Sequence, residues 1–366
     1  MIFNAYADTA TATNRATDLI AELGLREAKN AFSDNPAWKP QRVVVNLPAV
    51  LSSQLPDFEA RLKSVAGSVD LVIDRSDNFI LSEEVLKGAD AVIGLCSPKT
   101  MGNAGAELLW LHNYFVGMDR CKGLSDEQLQ NITFTNTKRL SGPAIAEHTI
   151  AMLMSLTRGL PAYQRSQRAA KWDPSVVGSV SFGELKGKTI LVVGLGGIGT
   201  QIAQRAHGLG MRVIATRNSS RSGPDYVEYV GLASELLTLA GKADVIVNSL
   251  PLTASTSGLF DKEFFSNAKA GSIFLSVGRG KSTVTDDLIA ALESKHVFAA
   301  GLDVTDPEPL LEDSPLWAME NVIITPHVSA RTTQSLQRTA VLTVENLRRY
   351  VAGEALINVV NIRAGY

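Results

Sequence analysis

The stretch Thr189-Ile190-Leu191-Val192-Val193-Gly194-Leu195-Gly196-Gly197-Ile198-Gly199 settles the architecture of its half of the chain. A run of apolar, largely β-branched residues makes a buried strand. G-x-G-x-x-G follows, then a helical pattern that ends near Gly210. Between a strand and a helix each glycine has a reason. Gly194 permits the tight turn, Gly196 lets backbone approach a pyrophosphate, and Gly199 allows close helix–strand packing. Gly197 and Ile198 open the helix, whose free N–H groups and positive dipole end face the phosphates. A parallel α/β sheet that binds a dinucleotide is expected.

Further strand candidates follow at 212–215, 245–248, 272–276, 298–302 and 322–325. With 189–193 they make six, which fits a complete doubly wound domain. Upstream, 42–46, 69–73, 91–95, 108–112 and 132–135 form a second alternating series, with a helix near 55–65. Strands alternating with helices predict parallel βαβ units covered on both faces. A helix-compatible run spans about 143–172, where Pro161 kinks it or separates two helices. A last helix, about 332–352, leads to an extended tail, and residues 1–40 are polar and Ala-rich with a helical stretch near 18–29.

A site for NAD usually places Asp or Glu at the end of the second strand, to bind the ribose diol. Here that end reads Thr216-Arg217-Asn218-Ser219-Ser220-Arg221, with no acid between Gly199 and Asp225. A carboxylate would repel a 2′-phosphate, whereas a guanidinium fork matches it. Arg217, Asn218 and Ser219 are therefore expected to cradle the 2′-phosphate, with help from Arg221. NADP(H) is the preferred cofactor and NAD(H) the alternative.

Three pieces at strand ends carry chemistry: Ser276-Val277-Gly278-Arg279-Gly280, Asp303-Val304-Thr305-Asp306-Pro307-Glu308-Pro309, and Thr325-Pro326-His327-Val328-Ser329. Open α/β sheets bind ligands at these carboxyl ends. From about Arg42 onward the chain resembles the D-isomer-specific 2-hydroxyacid dehydrogenase family. AIAEHT, LKGKTILVVGLGGIG, NSLPLTAST, SVGRG, GLDVTDPEP and ITPHVSA occur in family order. The resemblance implies an α/β fold of two Rossmann-like, doubly wound parallel-sheet domains. The NAD(P) domain spans 142–330, and the flavodoxin-like substrate domain is discontinuous, 41–141 with 331–366. Residues 1–40 form an N-terminal extension outside the resemblance.

The resemblance also assigns roles. Arg279 clamps the substrate carboxylate as a bidentate partner. His327 is the acid/base at the C2 oxygen. Glu308 orients His327, as a buried carboxylate that favours the protonated ring. Asp303 binds the nicotinamide carboxamide, and Pro251 lines the adenine or ribose side. Asp306 lies outside the site. His148 reads as a packing residue on the helix between domains. The family's substrate loop corresponds to Asn113-Tyr114-Phe115-Val116-Gly117-Met118-Asp119, where Gly117 and Asp119 match. Phe115, Val116 and Gly117 are the substrate-binding candidates; Tyr114 and Phe115 either shape the mouth or belong to the core.

Composition narrows the function classes. Net charge is −2 over 366 residues with no basic block, which argues against nucleic acid. No apolar run reaches bilayer length, and no metal site is expected. Two cysteines, Cys96 and Cys121, make neither a disulfide framework nor a zinc ribbon and point to a reducing compartment. A cytoplasmic location follows. Ala5-Tyr6-Ala7 resembles a cleavage site, so export is the alternative. The expected function is reduction of a small 2-oxo acid of the glyoxylate/hydroxypyruvate kind to the D-2-hydroxy acid, by a homodimer. The alternatives are a dinucleotide-sensing corepressor-like protein and a phosphite dehydrogenase-like oxidase of a small oxyanion.

Overall fold

The computed structural model describes residues 9–118, 120–121, 123–176, 183–218 and 220–362. Asp119, Ser219 and the Ala5-Tyr6-Ala7 segment lie outside the described residues. The chain divides into two compact units, Ser141–Arg331 and Met1–Leu140 with Thr332–Tyr366.

The Ser141–Arg331 unit holds a seven-stranded sheet. Its strands are β6 (Thr189–Val193), β7 (Arg212–Thr216), β8 (Tyr229–Gly231), β9 (Val245–Asn248), β10 (Ser272–Ser276), β11 (Val297–Leu302) and β12 (Val322–Ile324), in the order β12-β11-β10-β9-β6-β7-β8. Every pairing is parallel. Side chains alternate along β6. Ile190 and Val192 enter one core cluster, Leu191 and Val193 the other. Burial on both faces is why these strands read as unbroken apolar runs. The sheet has one strand more than the six expected, because β8 is three residues long and adds at the edge beyond β7. The long helical run is two helices, Gly142–Thr157 and Leu160–Arg168. The break falls at Gly159, whose φ of 62° only glycine adopts freely, while Pro161 sits in the first turn of the second helix.

In the other unit, the strands 42–46, 70–74, 91–94, 110–113 and 133–136 are β1 to β5 in chain order. They form a parallel sheet in the order β2-β1-β3-β4-β5, the flavodoxin-like arrangement. The first helix is Thr9–Leu23, earlier than the stretch near 18–29, because Gly24 turns left-handed at φ 60° and stops it. Its Leu19 and Leu23 pack with Leu140, Leu342 and Ile357, so the N-terminal extension contributes to a core. The helix Thr333–Ala352 is capped by the Thr332 hydroxyl, which accepts the Ser335 N–H at 3.0 Å.

One expectation is overturned here. Cys96 and Cys121 are joined as a disulfide, with both residues buried. The fold brings the end of β3 and the loop after β4 to a Cα separation of 5.1 Å, inside the disulfide range. A count of two could not foresee that pairing, so it carries no argument for a reducing compartment. Among the described residues, no helix is long and apolar enough to cross a membrane.

Candidate active site

Packing at the carboxyl ends of the seven strands is tight enough to tie neighbouring loops together. A Cβ on Gly199 would lie 2.1 Å from the Gly194 carbonyl oxygen, and one on Gly194 would lie 2.9 Å from Leu250. A Cβ on Gly278 would meet the Leu250 carbonyl at 2.6 Å, and one on Gly280 would overlap the Thr305 carbonyl. Glycine is thus required where the β6, β9, β10 and β11 loops touch in sequence. Gly196 differs, since a Cβ there would meet nothing within 4 Å. Its backbone borders open space at the start of the helix Gly197–Gly208. Gly197 and Ile198 lie in that first turn, and Ile198 also packs on the core.

The loop after β7 adjoins this turn. Leu195 N–H donates to the Thr216 carbonyl at 2.9 Å, and Gly194 N–H to the Thr216 hydroxyl at 3.3 Å. Arg217 Nη1 donates to the Ser222 carbonyl at 2.8 Å, and Asn218 is exposed. Arg221 pairs with Glu235 at 2.7 Å and donates to the Tyr229 hydroxyl at 2.9 Å. Pro251 is exposed, and its carbonyl accepts from the Thr256 hydroxyl at 2.7 Å.

Three to five strands across the sheet from β7, after β10, β11 and β12, the ionisable groups gather. His327 Nδ1 lies 2.6 Å from Glu308 Oε1. The pair is not buried as expected: the side chains are 41% and 45% exposed, because both loops run along the open strand ends. Arg279 follows β10, half-buried, with Nη1 donating to the Gly278 carbonyl at 2.8 Å. Gly280, pressed on Thr305, ties the Arg279 turn to the loop that carries Glu308. Asp306 belongs to the same loop, and its carbonyl accepts from the Thr285 hydroxyl.

Asp303 is buried to 1% exposure at the end of β11. Oδ1 accepts from the Thr325 hydroxyl at 2.7 Å and from Val328 N–H at 2.9 Å, and Oδ2 accepts from Ser329 N–H at 3.1 Å. Burial works against ionisation, but these bonds from Ser329, Thr325 and Val328 outweigh it and hold the carboxyl below its ordinary value. His148, partly buried on the helix Gly142–Thr157, also makes a polar contact: its Nε2 lies 2.9 Å from the Thr325 hydroxyl. Thr325 and Ser329 were given no role from the sequence, although the Thr325-Pro326-His327 spacing at a strand end was an available signal. The AIAEHT piece contains His148 but does not point to its contact with Thr325.

The family model for the NAD binding domain of D-isomer specific 2-hydroxyacid dehydrogenases matches residues 150–329. The glyoxylate reductase/hydroxypyruvate reductase of Mus musculus is 32% identical over 303 residues, 80% of this chain and 92% of that protein. The chain belongs to the D-isomer specific 2-hydroxyacid dehydrogenase family. It is an NAD(P)-dependent oxidoreductase of that family. The D-3-phosphoglycerate dehydrogenase of Mycobacterium tuberculosis is 38% identical over 229 residues, 60% of this chain but 41% of that protein. Among solved structures, a D-isomer specific 2-hydroxyacid dehydrogenase from Xanthobacter autotrophicus Py2, in complex with NADPH and MES, matches with a TM-score of 0.71. Its identity is 26%, over 88% of this chain and 99% of that one.

In this dehydrogenase the stretch 113–118 belongs to the five-stranded unit. Asn113 Nδ2 donates to the carbonyls of Phe115 at 2.8 Å and Gly117 at 3.3 Å, and Asn136 Nδ2 to that of Val116 at 2.6 Å. With the carbonyls held, the N–H groups of Phe115, Val116 and Gly117 enter no hydrogen bond among the described residues. The two aromatics divide. Tyr114 is core, its hydroxyl donating to the Asn46 carbonyl at 3.1 Å, whereas Phe115 is 50% exposed.

Proposed function

We propose that this dehydrogenase is an NADP(H)-preferring reductase of small 2-oxo acids, of the glyoxylate/hydroxypyruvate type, yielding D-2-hydroxy acids. The observation that carries the proposal is the 2.6 Å contact between His327 Nδ1 and Glu308 Oε1, one loop away from Arg279 at the strand ends. A carboxylate accepts only, so Nδ1 is the donor and Nε2 is the nitrogen left for substrate. His327 gives a proton from Nε2 to the C2 oxygen during reduction and takes it back in oxidation. Glu308 fixes the ring and balances its positive charge. Arg279 grips the substrate carboxylate through two parallel N–H bonds. Phe115, Val116 and Gly117 are the substrate-binding residues proposed for their own unit.

The cofactor cradle fits a dinucleotide: a turn that no side chain at Gly199 could share, and open ground above Gly196. Gly194, Gly196, Gly197, Ile198 and Gly199 would hold the pyrophosphate, Pro251 the adenosine side, and Arg217, Asn218 and Ser219 the 2′-phosphate. Bound NADPH supplies the hydride. The NADPH complex of the Xanthobacter structure supports this cofactor, as does the arginine where an NAD site carries an acid. A homodimer and a cytoplasmic location complete the reading.

Oxidation of NADPH and of NADH, each with glyoxylate, hydroxypyruvate and a panel of other 2-oxo acids, is the test. Higher kcat/KM with NADPH and turnover of the two named acids are expected. Arg279→Ala and His327→Ala should each lower kcat/KM by about 100-fold or more. Near-wild-type turnover in either variant would break the mechanism, and a clear NADH preference would remove the cofactor assignment alone.

A further inference from the structure

We propose that His148 is a positioning residue of the reaction, acting through Thr325 and Asp303 on the turn that carries His327. The inference rests on the acid/base role proposed for His327. Proton counting gives the direction of the chain. A threonine hydroxyl has one hydrogen. Thr325 gives it to Asp303 Oδ1 at 2.7 Å, so the 2.9 Å contact with His148 makes Nε2–H of His148 the donor. Nε2 also stands 3.8 Å from Asp303 Oδ1, beyond hydrogen-bond reach, so the hydrogen-bonded path to Asp303 runs through Thr325.

Asp303 then grips the turn twice. Its carboxylate takes the N–H groups of Val328 and Ser329, and its carbonyl takes that of His327 at 2.8 Å. The turn needs this hold, because His327 has φ 52°, a left-handed conformation that side-chain-bearing residues keep only when their surroundings over-determine it. His148 comes from a separate element, the helix Gly142–Thr157. It is therefore a strut from outside the loop. Once its N–H is gone, the Thr325 hydroxyl is free to rotate away from Asp303, and the His327 backbone loses a constraint that fixes the ring.

His148→Leu removes the donor, and His148→Gln returns an N–H at about the reach of Nε2. The full-length chain is assayed with NADPH and glyoxylate. His148→Leu should lower kcat about tenfold or more while both KM values hold, because misalignment penalises the chemical step. His148→Gln should restore most of that loss, which a merely structural role would not require. Thr325→Val should reproduce the loss, and the double variant should lose no more than either single one, as members of one chain do. Wild-type kcat in His148→Leu, failure of His148→Gln to rescue at an unchanged melting temperature, or multiplying losses in the double variant each overturn the inference. His327→Ala, run in parallel, separates the two claims. If it retains turnover, both fall; if it is inactive while His148→Leu is unaffected, only the strut falls.

Discussion

Arg217 and Arg221 stand on one loop yet are held differently. Arg217 is fastened to its own loop through the Ser222 carbonyl, and its charge faces no acidic partner among the described residues. Arg221 shares Glu235 with the Tyr229 hydroxyl, and Glu235 is itself fixed by the Leu232 N–H at 2.8 Å. The Tyr229 hydroxyl, ahead of the Leu232 N–H and the Arg221 charge, holds the Glu235 carboxyl below its ordinary value, so it stays ionised beside Arg221. An arginine whose charge is already matched has less to offer a 2′-phosphate. Arg217→Ser should therefore raise the KM for NADPH about tenfold or more, the scale of a lost charge-assisted bond. Arg221→Ser should raise it less, and neither should raise the KM for NADH. Steady-state kinetics with both cofactors checks this. An Arg221→Ser defect as large as that of Arg217→Ser would show that the Glu235 pairing opens when the cofactor binds.

At the scale of elements, the loop after β4 depends on one buried amide. Asn113 is 1% exposed, accepts the Cys96 N–H at 3.1 Å and donates to two loop carbonyls. Asn113→Ala leaves these groups without their partner, at about 1–3 kcal/mol for each that stays buried. The KM for the 2-oxo acid should rise about tenfold while the KM for NADPH holds, since the amides proposed to bind the acid lose their frame. Equal rises in both would mean general unfolding of the unit and would remove the loop from the substrate site. This dependence was out of reach of sequence reasoning, which saw Gly117 and the aromatics but not the amide that holds them. What the sequence does disclose follows burial. β6 and β9 to β11 are apolar on both faces and were legible almost to the residue. The edge strand β8 and the helix Ala49–Gln54 were missed, one for its length and the other because none of its residues is buried. Arg279, Glu308 and His327 were legible because each follows a strand in a distinctive motif. His148 was not, because its partner Thr325 is 177 residues away.

Across the whole molecule the chain leaves the five-stranded unit at Leu140 and returns at Thr332, so that unit must be closed by its last helix. Tyr350 closes it at one point: its ring stacks on Trp110 with centroids 5.0 Å apart, and its hydroxyl donates to Asp90 Oδ1 at 2.6 Å. His112 closes it at another, bridging Thr135 on β5 and Thr343 on the returning helix at 2.8 and 3.0 Å. The Thr343 hydroxyl donates to the Thr339 carbonyl, so His112 Nε2 is the donor to Thr343 and Nδ1 accepts from Thr135. A neutral ring is fully satisfied, and a second proton on Nδ1 would displace the hydrogen that the Thr135 hydroxyl donates there, while that oxygen already accepts from Trp110 Nε1. Burial accordingly pulls the His112 pKa from an ordinary 6.5 down to about 3. Between those two values the unfolded chain binds a proton that the folded chain does not. Stability is thus fully present above the unfolded value of 6.5 and is lost as pH falls toward 3, by up to about 1.4 kcal/mol per pH unit. Urea unfolding across that range should show His112→Gln, which cannot titrate, losing stability less steeply with acid than the wild type, although it starts lower at neutral pH. Identical slopes for the two would mean that the closure admits the charged ring, and that acid attacks the unit elsewhere.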